Sequence, residues 1–242
     1  MLFDVVMLCS GILLSEACRF IEDIREKNID FEIIGSGLHL HLLISAHIAS
    51  INRFSECRIL YELDIPKGAY IDSDSINSTL LEHSFFSDAQ FNVEAPAGKS
   101  EDHKVYLLLS TSIRKKFVLE DRLKLPVHLR YHACRNTDGI TEVATVVFNT
   151  PVIALDCPHD YQSLQLESCP GKREYKIAGL ESKSPYWITV EPLEKRTATA
   201  IIPIGNCLLL PYIFCGTILT LLMGLYCICS AQKGSKLIHK AE

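Results

Sequence analysis

Leu38-His39-Leu40-His41-Leu42-Leu43-Ile44-Ser45-Ala46-His47-Ile48 decides the fold class. Leu38, Leu40, Leu42, Ile44, Ala46 and Ile48 alternate with His39, His41, Leu43, Ser45 and His47. Successive side chains of a strand point to opposite faces, so a period of two marks a strand with one face in a core and the other turned to solvent or a partner. Downstream, Cys57, Ile59, Tyr61 and Leu63 alternate with Arg58, Glu62 and Asp64 as far as the turn signal Pro66-Lys67-Gly68, which ends a second strand. Further β-prone runs cover residues 104–111, 125–132 and 142–148, separated by breakers such as Ala95-Pro96-Ala97-Gly98 and Asp138-Gly139. This spacing predicts a mainly β protein, an antiparallel β-sandwich, with one short helix at residues 75–83. Beyond Cys157, Ser, Pro, Gly and Lys are frequent and a loosely structured stem is expected. The competing expectation there is a final strand at Trp187 to Val190.

The 242 residues suffice for one sizeable core plus targeting and anchoring segments. No charged residue interrupts the chain between Arg196 and Lys233. A helix over residues 208–229 would be about 33 Å long at roughly 1.5 Å per residue, against a hydrocarbon core of roughly 30 Å. Residues 207–229 are therefore expected to cross a membrane, with Pro203 and Pro211 marking the entry. Lys233, Lys236 and Lys240 follow and resist translocation, so residues 230–242 form a cytosolic tail and the preceding domain is luminal. Residues 1–17 then serve as a signal peptide, with an apolar run from Val5 to Leu14 and small residues at Ser15 and Ala17. Residues 18–200 form the luminal β domain and stem. The net charge of −5 and the lack of a basic block before the span exclude a nucleic-acid partner.

Cleavage after Ala17 leaves Cys18, Cys57, Cys134, Cys157 and Cys169 ahead of the span, enough for at most two internal disulfides. Their pairing stays open, although Cys157 and Cys169 are close enough for a small loop. Cys207, Cys215, Cys227 and Cys229 belong to the span or its edges.

Asp72-Ser73-Asp74 has the form by which many glycosyltransferases hold a divalent cation, because carboxylates at i and i+2 can both reach it. Ser and Asp also crowd turns and helix N-caps, and this triplet lies between a strand and the expected helix, so a turn role is expected. His39 and His41 share one strand face, as do His128, Arg130 and His132, but a zinc site needs about four ligands and no acidic or cysteine ligand lies near in sequence. No nucleophile elbow, P-loop or dinucleotide fingerprint is present, so neither an enzyme nor a cofactor is indicated. Asn77-Ser78-Thr79 is an N-glycosylation acceptor in a polar neighbourhood.

Three segments carry a resemblance. They are Asp64-Ile65-Pro66-Lys67-Gly68-Ala69-Tyr70-Ile71-Asp72, Phe91-Asn92-Val93-Glu94-Ala95-Pro96 and Leu125-Pro126-Val127-His128-Leu129-Arg130-Tyr131-His132. In order and spacing they resemble the luminal domain of the phosphatidylinositol-glycan biosynthesis class X (PIG-X) family, over about residues 57–157. The resemblance implies a non-catalytic subunit of GPI mannosyltransferase I in the endoplasmic reticulum membrane. It implies a partner, the multi-pass class M mannosyltransferase that adds the first mannose to the glycosylphosphatidylinositol (GPI) precursor. Leu125, Val127, Leu129 and Tyr131 are expected in the core, with Pro66 and Gly68 serving the turn. His128, Arg130 and His132 are the candidate partner surface. The rival from topology alone is a cell-surface receptor or adhesion ectodomain.

Overall fold

The computed structural model describes residues 19–71, 76, 80–88, 92–110, 113–136, 142–157, 171–180 and 186–238. The expected signal peptide, Asp72, Asp74, Asn77, Cys18 and Cys169 lie outside the described residues. A short helix α1 (Arg19–Asp23) leads into β1 (Ile24–Ser36) and β2 (His39–Ile65). Then come β3 (Ala69–Tyr70), β4 (His83–Ser87), β5 (His103–Leu109), β6 (Ile113–Leu129), β7 (Val143–Asn149), β8 (Val152–Asp156), β9 (Lys172–Arg173), β10 (Trp187–Val190) and β11 (Thr197–Pro203). A long helix α2 (Leu210–Ile238) follows. The chain divides into two compact units, Met1–His132 with Thr145–Ile202, and Ala133–Ala144 with Pro203–Glu242.

The alternation at residues 38–48 is the first part of β2. Leu40, Leu42, Ile44, Ala46 and Ile48 are buried, while His39 is exposed and His41, Leu43, Ser45 and His47 are half-buried. The two runs that the sequence separates, 38–48 and 57–64, belong to one 27-residue strand. A bulge accounts for the break. Ala49 pairs with Val118 and Phe54 with Lys116, so residues 50–53 of β2 face a single residue of β6 and the period of two is lost locally. Asn52 pins the bulge, its backbone N–H donating to Ser50 Oγ at 3.3 Å and its side-chain amide to Asp23 Oδ2 at 2.6 Å.

The first part of β2 is flanked by β1 and β6, the second by β5 and β8, so one strand serves both layers of the sandwich. The sheet path runs β3-β6-β2-β8-β10-β9, with β1 joined to β2 and β4 to β5. These pairings are antiparallel. The layers meet at a polar junction in the core, where Tyr61 of β2 donates its hydroxyl to Asp121 Oδ2 of β6 at 2.6 Å and His83 Nε2 of β4 lies 2.8 Å from the same oxygen. β7 and β11 pair separately. Thr150 N–H donates to Arg196 O beyond one end and Ile204 N–H to Glu142 O beyond the other, so that pair is antiparallel too.

Of the helix expected at residues 75–83, residues 75 and 77–79 lie outside the described ones; Leu80 N–H donates to Ile76 O, and His83 already opens β4, where it faces Leu109. Beyond Cys157 the described residues, 171–180 and 186–203, are packed structure rather than the expected loose stem, and the competing strand at Trp187 to Val190 is found. β10 is buried on both faces, with Trp187 only 1% exposed. Tyr175, Ile177 and Leu180 pack over Leu60, Tyr106, Ala154 and Trp187, so this segment covers the outer face of the second layer. Because of that cover, Glu62, which the alternation turns away from the core, is buried as well and is met by Lys104, Arg173 and Tyr175.

The described disulfides are Cys57–Cys157 and Cys134–Cys207, with sequence separations of 100 and 73. Cys157 therefore does not close a small loop with Cys169, and Cys207, at the edge of the apolar stretch as expected, is paired with Cys134 in the 3-10 turn Cys207–Leu209 that leads into the long helix. In the second unit, Arg135 N–H donates to Gly205 O and Cys207 N–H to Arg135 O, both at 3.0 Å. The Asn206 side chain accepts from Leu208 N–H at 2.9 Å and caps the turn that opens α2. Pro211 lies in the first turn of α2 as expected, whereas Pro203 ends β11. Residues 208–231 are exposed all round and predominantly apolar, and the stretch Cys207–Ala231 is long and apolar enough to cross a membrane.

Candidate functional site: a groove where three segments meet

Pro66 and Gly68 begin the site. Ala69 N–H donates to Pro66 O at 2.8 Å, closing a tight turn that returns the chain as β3 beside the end of β6. Gly68 serves by close approach as well as by its place in the turn: a Cβ there would stand 2.6 Å from Val146 Cγ2. The register then sets Ala69 opposite Leu129 and Tyr70 opposite His128. Residues 92–99 form the third side. Glu94 N–H donates to Asn92 Oδ1 at 2.9 Å, a 3-10 turn spans Ala97–Lys99, and Ala97 N–H donates to Tyr131 O at 3.0 Å.

Arg130 ties the three segments together. Its Nε donates to Ala69 O at 3.3 Å, and its Nη1 donates to Asn92 O at 2.7 Å, Val93 O at 3.2 Å and Ala95 O at 2.7 Å. The guanidinium lies 4.8 Å from the centre of the Tyr70 ring, a cation–π distance. Burial pulls the Arg130 pKa down and Tyr70 acts the other way, but a guanidinium remains charged at physiological pH. Arg130 is 3% exposed, so the expectation of an outward-facing Arg130 is corrected: the regular alternation of β6 ends at Leu129 and the next side chain turns inward. Tyr131, expected in the core, is 73% exposed for the same reason, while Leu125, Val127 and Leu129 are buried as expected.

His128 and His132 are half-buried. The antiparallel register sets His39 opposite His128, and the two rings meet edge to face with centroids 4.4 Å apart. Tyr70 Oη lies 3.2 Å from His128 Nδ1, and His128 Nε2 lies 3.4 Å from His39 Nδ1. One tautomer lets the tyrosine donate to His128 and His128 donate to His39. His132 Nδ1 lies 3.0 Å from Arg130 O and donates to it when protonated there. His41 faces Pro126 rather than joining this cluster, and burial, with the charge of Lys124, lowers its pKa. Among the described residues no set of three metal-ligating side chains forms. The result is a groove of about 270 Å³ walled by His39, Tyr70, Val93, Pro96, His128 and Tyr131, with Arg130 in its lining. Tyr70 and His39 were not singled out with His128 from sequence, because 58 and 89 residues separate them from it and only the strand register joins them.

A family profile described as PIG-X / PBN1 matches residues 35–232. The chain belongs to the PIG-X / PBN1 family. The match runs from the end of β1 through every later strand and most of α2, so it takes in the groove and the apolar helix together. A human protein named "GPI alpha-1,4-mannosyltransferase I, stabilizing subunit" is 29% identical over 140 residues, which cover 55% of this chain and 52% of the relative. Mouse and rat proteins of the same name are also 29% identical over 140 residues, covering 55% of this chain and 52% and 53% of their own lengths. The chain thus spans about half the length of the curated relatives it matches.

Proposed function

We propose that this chain is a non-catalytic stabilising subunit of GPI mannosyltransferase I, supporting transfer of the first mannose to the GPI precursor at the endoplasmic reticulum membrane. The observation that carries it is the family match across both the β domain and the apolar helix, with relatives named as the stabilising subunit. Its partner is the multi-pass class M mannosyltransferase. Residues 207–229 anchor the chain, the β domain is luminal, and residues 230–242 are cytosolic. Two disulfides support a luminal domain, since such bonds persist in oxidising compartments. Residues 1–17 direct entry and are removed, and Asn77 carries a glycan.

The partner surface is the groove region, with His128 at its wall, Arg130 in its lining and His132 beside it. Tyrosine and arginine at the centre of a patch are the residue types that dominate interface energetics. Cells lacking this chain should lose GPI-anchored surface proteins, and the Asp72→Ala/Asp74→Ala chain should restore them. A failure of that double variant to rescue, despite normal amounts of it, would argue for a metal-dependent transferase in this chain instead. A glycan at Asn77 that stays high-mannose matches residence in the endoplasmic reticulum; a fully processed one points to the cell-surface receptor alternative.

A further inference from the structure

Arg130 is nine-tenths buried and more, and each of its hydrogen bonds goes to a neutral carbonyl. Nη2 is not used in those bonds. Among the described residues no carboxylate forms an ion pair with it; Glu94, in the groove lining, is exposed and makes no bond to the guanidinium. A buried charge is ordinarily met by an opposite one, because carbonyl dipoles replace only part of its lost hydration.

The geometry points to a carboxylate as the groove's occupant: an aspartate or glutamate side chain on the luminal surface of the mannosyltransferase, received between His39, His128 and Tyr131 with its charge toward Arg130. This rests on the partnership proposed above. A carboxylate oxygen can accept a charge-assisted hydrogen bond from the Nη2 amino group, which those bonds leave unused. A groove of about 270 Å³ with Tyr70, Pro96 and Tyr131 in its walls also suits the short apolar stem of one side chain. Arg130 is then both the staple of the three segments and the charge that a partner completes.

The test supplies the missing anion from within. His39 is exposed, so His39→Glu and His39→Gln should both fold, and they differ only in charge. Full-length chains are co-expressed with the catalytic mannosyltransferase, and enzyme recovered with each is measured. His39→Glu, by occupying the groove with its own carboxylate, should recover at least fivefold less enzyme than His39→Gln, which lacks that charge. The purified His39→Glu chain should also unfold several degrees above His39→Gln, since it completes the Arg130 charge. Equal recovery by the two variants overturns the inference, and so does an unfolding midpoint for His39→Glu at or below that of His39→Gln. If inorganic phosphate raises the wild-type midpoint while His39→Glu leaves recovery intact, the groove is a phosphate site and the carboxylate assignment fails. Should the wild-type chain itself recover no enzyme, the proposed function falls, and the inference with it.

Discussion

At Glu62, burial works to raise the carboxyl pKa, but the hydrogen bonds from Lys104 and Tyr175 and the charges of Lys104 and Arg173 outweigh it and hold it below its ordinary value. Burial acts in the same direction at Asp121 and is likewise outweighed, here by His83 and Tyr61. A carboxyl whose folded pKa is depressed contributes stability above its unfolded value and loses it as pH falls through the folded one. At His103 burial is the largest cause and lowers the pKa, so the folded protein favours the neutral ring. That stability is full above the ordinary histidine value of about 6.5 and declines as pH falls toward the folded value. Urea unfolding of the full chain should therefore show a midpoint that first declines below about pH 6.5 and falls again below about pH 4. His103→Gln should flatten the first decline and spare the second. Tyr61→Phe removes the hydroxyl that meets Asp121, leaving a buried carboxylate with one donor fewer, and should cost about 1–3 kcal/mol in the same measurement. Local sequence showed Tyr61 as a core position, but its pairing with Asp121, 60 residues away, is a property of the two layers coming together.

β2 was legible because its buried and exposed residues alternate; its continuity was not, because the bulge at residues 50–53 interrupts the period while the ladder to β6 resumes. β1 went unread although Ile29, Phe31 and Ile33 alternate with Asn28, Asp30 and Glu32, since charges dominate the run and its core contribution rests on one face. β10 was only the competing expectation in a polar region because it is just four residues long and buried on both faces, too short a signal to outweigh the Ser, Pro, Gly and Lys around it. Packing between elements gives two tests. Gly68→Ala puts a methyl group against Val146 and should destabilise by about 1–3 kcal/mol, as overpacking does, with Val146→Ala in the same chain recovering much of the loss. Thermal unfolding of the two variants decides it; no rescue would mean that the turn backbone, rather than the contact, requires glycine. Replacing Cys57 and Cys157 together by alanine opens a cross-link between β2 and β8 and should cost about 2–5 kcal/mol, read by urea unfolding under oxidising conditions.

On the scale of the chain, the apolar helix and the β class were plain from charge and periodicity, whereas the groove was not. Its walls come from segments far apart in sequence, and the residue that joins them, Arg130, looked like a surface side chain because strand alternation was extended one step too far. The resemblance in those same segments covers both the turn chemistry at Pro66 and Gly68 and the three backbone segments that Arg130 joins. The decisive measurement is the amount and specific activity of the catalytic mannosyltransferase in microsomes from cells with and without this chain. A stabilising subunit predicts several-fold less enzyme in its absence, with mannose transfer per remaining enzyme molecule unchanged; undiminished enzyme that has lost activity per molecule, or no change in either quantity, would contradict it.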